Sequence, residues 1–324
     1  MMLLSIIIPV YKVERYIKAT LQSVFNQNID TTSYEVIVIN DGTPDDSMSI
    51  VTEFSKKHEN LFIISQANQG LSCARNAGLK RAKGDYVWFV DSDDTIVDNA
   101  IAMFSSLTKM QADIYVFGLK KTDEKNGIIT EEFATEEMAL FSTMAEGKKI
   151  MNKVRKCPIQ RCIFRRDFLL KNKLFFYPKI YHEDLEFAPK AFFLAERVYV
   201  VNKAIYNYLL RISGSITSAI KIKSCHDMIT VMHNLEKFRK YNACTKYDNA
   251  IFKQYIFMYL LIFFEYAQRC PDKKKVKKIV SEHCSWFRQI SSYGISIYFP
   301  SFKNFVFSLL CFVSPKLLYY KYLI

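Results

Sequence analysis

The sequence lacks paired cysteines. None of its eight cysteines, at positions 73, 157, 162, 225, 244, 270, 284 and 311, has a CxxC partner, and His226 stands beside Cys225 with no second Cys/His pair. That excludes a zinc framework of ordinary spacing. Scattered cysteines read as small core residues, so reduced, mostly buried thiols in a cytosolic protein are expected. The start of the chain has no basic stretch and no small-residue cleavage site, and opens directly on the apolar run Leu3 to Val10, unlike a secretory signal. A membrane span needs roughly 20 apolar residues. The last apolar run, Phe305 to Val313, is too short for one, being broken by Lys303 before it and Pro315-Lys316 after it. No internal repeat or low-complexity segment occurs, and no zinc-finger, RRM or helix-turn-helix signature that would mark a nucleic-acid reader.

What is present is a large supply of core residues and an excess of positive charge. Half of the 324 residues are hydrophobic, 15% are aromatic, and the formal net charge is +13. Such a charge calls for a partner: nucleic acid, an anionic membrane surface or a phosphorylated substrate. Along the first 118 residues apolar runs of strand length alternate with helical periodicity. Leu4 to Val10, Tyr34 to Asn40, Leu61 to Ser65, Asp85 to Val90 and Asp113 to Gly118 read as strands. Ile17 to Phe25, Met48 to His58, Leu71 to Lys83 and Ala100 to Met110 read as helices. This alternation predicts an α/β fold with βαβ crossovers, a mostly parallel sheet and helices on both faces. Ligands of such sheets sit at the carboxyl ends of the strands. The conspicuous polar residues fall there: Tyr11, Asp41 and the cluster Asp91-Ser92-Asp93-Asp94. Residues 119–150 read as a polar, acidic excursion, and the chain reads as helical from about residue 223.

Two acidic centres could carry chemistry. Carboxylates one residue apart on a loop after a strand suit a hard divalent cation, Mg²⁺ or Mn²⁺, which would neutralise a departing diphosphate. Aspartate is also a standard turn and cap residue, so the cluster alone is equally a solvated turn. The second centre is Glu183-Asp184, where a carboxylate could accept a proton or simply cap a helix.

Three ordered blocks decide between these alternatives. Residues 5–16 read SIIIPVYKVERY, residues 35–47 read EVIVINDGTPDDS, and residues 67–94 read ANQGLSCARNAGLKRAKGDYVWFVDSDD. In order, spacing and strand-end placement the sequence resembles the family 2 glycosyltransferases, inverting enzymes whose catalytic domain is a Rossmann-like GT-A fold. The resemblance is close over residues 3–118. It extends more loosely to about residue 217 through YHEDLEF at 181–187 and YNYLLRISGSIT at 206–217.

The resemblance implies roles. Pro9, Tyr11 and Glu14 line the nucleotide end and Asp41 hydrogen-bonds the base, where an isolated Asp-Gly would read as a turn. Arg75 contacts the nucleotide or diphosphate, although a surface Arg is its default reading. Asp93 is the first choice for metal ligation, with Asp91 on the ribose or in the metal shell and Asp94 capping the next helix. Asp184 is the implied base, Glu183 the competing one and His182 a weaker one. Arg211, in a stretch that resembles Y-x-x-R…S-I-T, complements the metal at the diphosphate. Two departures stand out: Lys12 where the family usually has Asn, and GTPDDS where GSTDxS is commoner.

The implied organisation is a nucleotide-sugar-binding half over residues 1–118, an acceptor-side half over 119–220 and a C-terminal helical region over 221–324. The implied activity is transfer of a sugar from a nucleotide-diphosphate sugar, UDP by default, to a hydroxyl of a glycan or lipid-linked acceptor in surface polysaccharide assembly. The positive charge then suits a peripheral dock on the inner face of the cell membrane, through Lys273 to Lys278 and the aromatic C-terminal segment. That segment reads equally as a cap on the core. A degenerate transferase serving as a membrane-surface scaffold is an alternative. A nucleotidylyltransferase is another, but the loop Val10 to Glu14 has no glycine to hold a triphosphate.

Overall fold

The computed structural model describes residues 2–124, 129–132, 142–151, 153, 158–211, 220–296, 311, 314 and 315. The chain divides into two compact units, one of Met1–Lys179 with Ala191–Ser213 and one of Ile180–Lys190 with Gly214–Ile324.

The first unit opens with β1 (Leu4–Val10), α1 (Ile17–Phe25), β2 (Tyr34–Asn40), α2 (Ser47–Ser55), β3 (Leu61–Ser65), α3 (Leu71–Arg81) and β4 (Tyr86–Phe89). The short β5 (Thr95–Ile96), α4 (Ala100–Leu107), β6 (Ile114–Asp123), β7 (Ile129–Glu132), β8 (Met144–Ala145) and α5 (Gly147–Met151) follow. Then come β9 (Cys162–Arg165), α6 (Arg166–Lys171) and β10 (Val198–Leu210), with α7 (Glu183–Leu194) between α6 and β10 in sequence, its residues 183–190 belonging to the second unit. The strands join in one sheet of order β3-β2-β1-β4-β9-β6-β10-β5, with β7 on β6 and β8 on β10.

Strands β1 to β4 pair in parallel, as the alternation predicts, in the register Val10↔Asn40 and Ile7↔Phe89. Beyond β4 the sheet is mixed. β9 lies antiparallel between β4 and β6, while β6 and β10 pair in parallel. The polar stretch after residue 118 is strand at its start, because β6 runs on to Asp123 beside Leu210.

β1 and β2 are buried along their lengths, as expected for strands covered on both faces. Their alternate residues serve different layers. Ile6, Ile8, Val36 and Val38 join Ile17, Leu21, Val24, Val51, Ile101 and Phe104 from α1, α2 and α4 in one apolar cluster. Ile7, on the opposite face, meets α3 so closely that a Cβ on Gly78 would stand 2.3 Å from its Cγ2. The helices therefore cover both faces of the sheet.

The second unit is helical, as the sequence predicts from about residue 223. It contains α8 (Ile222–Asn242), α9 (Lys246–Arg269), α10 (Lys273–Glu282) and α11 (Cys284–Ser296). α9 starts on a reciprocal cap: Thr245 Oγ1 accepts from Asp248 N at 3.0 Å, and Asp248 Oδ2 accepts from Thr245 N at 3.2 Å. α9 is long and apolar enough to cross a membrane by length and composition, and 56% of its apolar window is buried in the fold. Seven described cysteines are free thiols; Cys162, Cys225, Cys270 and Cys311 are buried and Cys244 is exposed. The aromatic segment Phe305 to Val313 lies, apart from Cys311, outside the described residues.

Candidate active site

Parallel pairing of β1, β2 and β4 brings three loops together at their carboxyl ends. The ladder reaches one step past the strands, with Asp41 N donating to Val10 O at 3.1 Å and Val90 N to Ile7 O at 3.0 Å. Pro9 can occupy the end of this central strand because β4 stops pairing at Ile7, so its missing N–H leaves no partner unsatisfied on that side.

The loop after β1 is clamped to the loop after β2. Lys12 N donates to Thr43 Oγ1 at 2.8 Å, Val13 N to Ser47 Oγ at 3.1 Å and Glu14 N to Asp45 Oδ2 at 3.1 Å. Glu14 answers by accepting from Asp46 N at 3.2 Å. Burial alone would raise the Asp45 carboxyl, but hydrogen bonds from Ser47, Thr43 and the Glu14 amide hold it below its ordinary value. Lys12 sits at φ +56°, a left-handed conformation in which the usual Asn is better tolerated. Together Lys12, Glu14, Arg15, Tyr16, Pro44 and Asp45 line a cavity of about 280 Å³. Tyr11 stands beside it, 43% exposed.

Asp41 is buried and accepts three hydrogen bonds. Its carboxylate accepts from Gln66 Nε2 at 2.7 Å, Gln69 N at 2.9 Å and Gly70 N at 2.8 Å. It thereby fixes the loop that opens α3, where Gly70 adopts φ +86°. A carboxylate offers about four lone-pair sites, so one remains for a ligand. Gly42, at φ +66°, turns the chain where a Cβ would stand 3.0 Å from Asn68 N.

The acidic cluster follows β4. Asp91, Asp93 and Asp94 bring one carboxylate oxygen each to within 4.8 Å of one another, the one group of three or more candidate metal-binding side chains among the described residues. Asp91 accepts from Arg75 Nη2 at 2.6 Å and from Gln160 Nε2 at 2.7 Å. Asp93 pairs with Arg211 Nε at 2.8 Å. Asp94 accepts from the Tyr206 hydroxyl at 2.6 Å and from Leu209 N at 2.7 Å. Asp94 therefore does not cap the next helix: α4 is preceded by Asn99, and Asp94 ties the cluster to β10 instead. Arg75 is not a surface residue either. It is fully buried in α3, 5.3 Å from the Phe176 ring, and serves Asp91.

Burial, then the charge of Asp91, pushes the Asp93 carboxyl up to about 6 against the opposing pull of Arg211 and Arg75. Burial and the neighbouring Asp93 and Asp91 raise Asp94 well above its ordinary value. Three carboxylates thus face two guanidiniums, and the remaining negative charge is confined in a poorly solvated place. The donors are hard oxygens, which fit Mg²⁺ or Mn²⁺. Both oxygens of Asp91 and of Asp94 accept from the protein, and Asp93 pairs with Arg211 and accepts from its own amide.

In the second unit Glu183 and Asp184 open α7. Glu183 is 7% exposed, and Asp184 Oδ1 accepts from the next amide, Leu185 N, at 2.9 Å. His182 precedes them at φ +61°, with its ring centroid 5.0 Å from that of Tyr266 and its Nε2 buried without a hydrogen-bond partner. Burial holds its imidazole below the ordinary value, against the pull of Glu183 and Asp227. The start of the segment is anchored by Tyr181 N donating to Asp227 Oδ2 at 2.8 Å. Acidic residues in the first turn complement the helix N-terminus, so Asp184 has a local structural partner whatever else it does. Ser215 to Thr217 lie outside the described residues.

Sequence reasoning missed Gln160 and Tyr206. Gln160 lies 69 residues from Asp91 in the least patterned stretch of the chain, and no motif announces it. Tyr206 sits in the same block as Arg211, yet only pairing of β10 with β5 reveals its partner Asp94.

Residues 5–171 match glycosyl transferase family 2. The uncharacterized glycosyltransferase EpsJ of Bacillus subtilis (strain 168) is 34% identical over 213 residues, covering 64% of this chain and 60% of EpsJ. The poly(ribitol-phosphate) beta-glucosyltransferase of Bacillus spizizenii is 27% identical over 303 residues, 90% of this chain and 45% of that protein. The chain thus spans about half the length of these relatives. Among solved structures, S. aureus TarS 1–349 in complex with UDP-GlcNAc superposes with a TM-score of 0.69 at 24% identity, covering 90% of this chain and 81% of that one. Mannosyltransferase PcManGT from Pyrobaculum calidifontis, in complex with GDP-Man and Mn²⁺, superposes with a TM-score of 0.57 at 12% identity, covering 95% and 83%. These likenesses bear on the fold, which is the GT-A type. With just over half of its length matched, and with the three loop blocks gathered at one end of the sheet, the chain belongs to glycosyl transferase family 2.

Proposed function

We propose that this chain is a metal-dependent, inverting glycosyltransferase that moves a sugar from a nucleotide-diphosphate sugar to a hydroxyl of a glycan or lipid-linked acceptor. The observation that carries the reading is the gathering of Asp91, Asp93 and Asp94 after β4, behind clamped loops on β1 and β2. Asp93, with Asp91, would hold Mn²⁺ or Mg²⁺, which when bound would supply charge neutralisation at the departing diphosphate. Pro9, Tyr11 and Glu14 shape the nucleotide end, and Asp41 offers its remaining acceptor site to the base. Arg75 orients Asp91.

Asp184 takes the proton of the acceptor hydroxyl as that oxygen attacks the anomeric carbon opposite the diphosphate, which inverts the configuration. Glu183 is the competing base. UDP is the first choice of nucleotide, supported by the UDP-GlcNAc complex of TarS, with GDP kept open by the GDP-Man complex of PcManGT. Work on a surface polymer is supported by the likeness to a poly(ribitol-phosphate) beta-glucosyltransferase. An inner-face membrane dock is part of the proposal. Lys273, Lys274, Lys275, Lys277 and Lys278 stand exposed on α10 while Val276, Ile279 and Val280 are buried.

The test is donor hydrolysis and transfer over a panel of nucleotide sugars with Mn²⁺ or Mg²⁺. Asp93→Ala is expected to lose metal-dependent donor binding. Asp184→Asn is expected to keep donor binding and lose transfer by about 10²-fold or more. If no nucleotide sugar binds with either metal, the transferase reading is abandoned. Normal transfer by Asp184→Asn would move the base to Glu183. Absence of binding to anionic liposomes at low salt would remove the dock.

A further inference from the structure

The most exposed large apolar side chains among the described residues are neighbours at one place in the fold. Tyr241 is 79% exposed and Tyr247 48% exposed. Tyr241 lies on the last turn of α8 and Tyr247 on the first turn of α9, either side of the short link Ala243 to Thr245. The two helices pack against one another, so this link is the tip of a helical hairpin. Lys237, Lys240 and Lys246 are exposed on the flanking turns. Residues 237–247 read KFRKYNACTKY and contain no acidic residue. The carboxylates that flank them are buried and engaged. Glu236 accepts from Arg239 at 2.6 and 2.9 Å, and Asp248 closes the cap of α9. The tip is also braced: Arg239 donates to Asn249 Oδ1 across the two helices, and Asn249 Nδ2 donates to Thr245 O at 2.9 Å. The groups that turn the chain are thus bonded within the hairpin, and the exposed groups are phenol rings and ammonium ions.

We infer that the α8–α9 tip is a membrane contact whose partner is the headgroup layer of an anionic phospholipid bilayer. It adds a second contact to the inner-face dock on α10, and rests on that part of the proposed function. A tyrosine has an apolar ring and a polar hydroxyl, so it gains most at a boundary between lipid and water. A lysine lays its alkyl stem along apolar surface while its ammonium stays with the phosphates. An anionic layer supplies the charge that an all-basic tip lacks. Shape favours the same partner. Small-molecule sites are concave, whereas the tip of a hairpin is convex and can enter a flat layer. Because the tip is braced before it binds, little of the gain is lost to ordering.

The tip carries its own reporter site. Cys244, in the link, is the exposed member of the seven described free thiols. An environment-sensitive fluorophore coupled there in the full-length chain reports on the tip, and Cys244→Ser controls for labelling elsewhere. Vesicles of equal parts phosphatidylglycerol and phosphatidylcholine are added at low salt, and binding is measured in parallel by co-sedimentation. The emission is expected to brighten and shift to the blue, and to stay unchanged with phosphatidylcholine alone. Lys240→Ala combined with Lys246→Ala is expected to weaken binding about 20-fold, roughly fivefold per lysine. Tyr241→Ala combined with Tyr247→Ala is expected to weaken it about tenfold. Lys274→Ala combined with Lys278→Ala, on α10, lowers the affinity but keeps the spectral shift at saturation. If anionic vesicles bind while the label stays silent and both tip variants bind as the wild type does, the tip is refuted and the α10 dock stands. If the wild-type chain binds no vesicles, the dock falls and takes the tip with it. A label that answers soluble polyphosphate and not vesicles would overturn the bilayer as the partner.

Discussion

The hydroxyl of Tyr206 donates to Asp94 across 2.6 Å, although 112 residues separate them in sequence. The same oxygen accepts the backbone N–H of Asp91 at 3.1 Å. One fully buried phenol on β10 therefore fixes both the backbone and a side chain of the acidic loop. Tyr206→Phe removes the donor and the acceptor while conserving the ring. It leaves Asp94 Oδ2 short of a partner in a buried place, which costs about 1–3 kcal/mol. Urea unfolding should show a lowered midpoint with an unchanged slope. A midpoint equal to that of the wild type would mean that the loop does not depend on this contact.

Asp93 makes the stability of the metal-free chain depend on pH. Its carboxyl is raised from 3.8 to about 6, first by burial and then by Asp91. The folded state therefore holds this proton more tightly than the unfolded chain does. The stabilisation is fully present below pH 3.8 and is lost as pH rises through about 6. The shift corresponds to on the order of 2–3 kcal/mol. Asp93→Asn should flatten this part of the curve, measured by urea unfolding at pH 5 and at pH 7.5 without metal. Equal slopes in the two proteins would contradict the assignment.

Gly78 lets α3 approach β1. A Cβ there would lie 2.3 Å from Ile7 Cγ2, a methyl on a stiff branched side chain buried in the sheet. Alanine favours a helix over glycine by about 1 kcal/mol, but overpacking a filled core costs about 1–3 kcal/mol. Gly78→Ala is expected to be destabilised overall, with a lower thermal midpoint. A raised midpoint would show that the helix can shift outward at no cost.

Gln160 donates to Asp91 Oδ2 while Arg75 donates to Oδ1. Gln160→Leu keeps the volume and removes one of two donors, so Asp91 gains freedom to turn. We expect donor affinity to weaken about fivefold, the worth of roughly 1 kcal/mol, with the unfolding midpoint nearly unchanged. Calorimetric titration of UDP with Mn²⁺ checks this; an unaltered affinity would assign Asp91 no orientation through Gln160.

How much of this was legible without the fold can be told from individual residues. The strand boundaries Leu4 to Val10, Tyr34 to Asn40 and Leu61 to Ser65 agree between sequence and structure, the first two because runs buried on both faces carry an unbroken apolar signal and the third because its apolar residues are bounded by polar stretches. The position of Asp41 and of the Asp91 to Asp94 cluster at strand ends was legible for the same reason. Two readings failed in an informative way. Asp94 looked like a helix cap because aspartate is a common cap residue, and Arg75 looked exposed because arginine usually is. Composition knows only what a residue type does on average.

By itself the sequence determined the alternation of strands and helices, the carboxyl-end placement of the acidic residues and the membership of a family with three ordered blocks. These are local properties, set by periodicity and by neighbours a few positions away. Only the tertiary structure decided which charges meet. It joined Arg75 and Gln160 to Asp91, Arg211 to Asp93, and Tyr206 to Asp94, across 16 to 118 residues of chain. The pairings of Gln160, Arg211 and Tyr206 follow from β9, β6 and β10 entering the sheet out of sequence order, whereas Arg75 reaches Asp91 from the neighbouring α3. The acidic cluster is a weak signal as a string of letters, since its electrostatics depend on burial and on partners that only long-range strand pairing supplies.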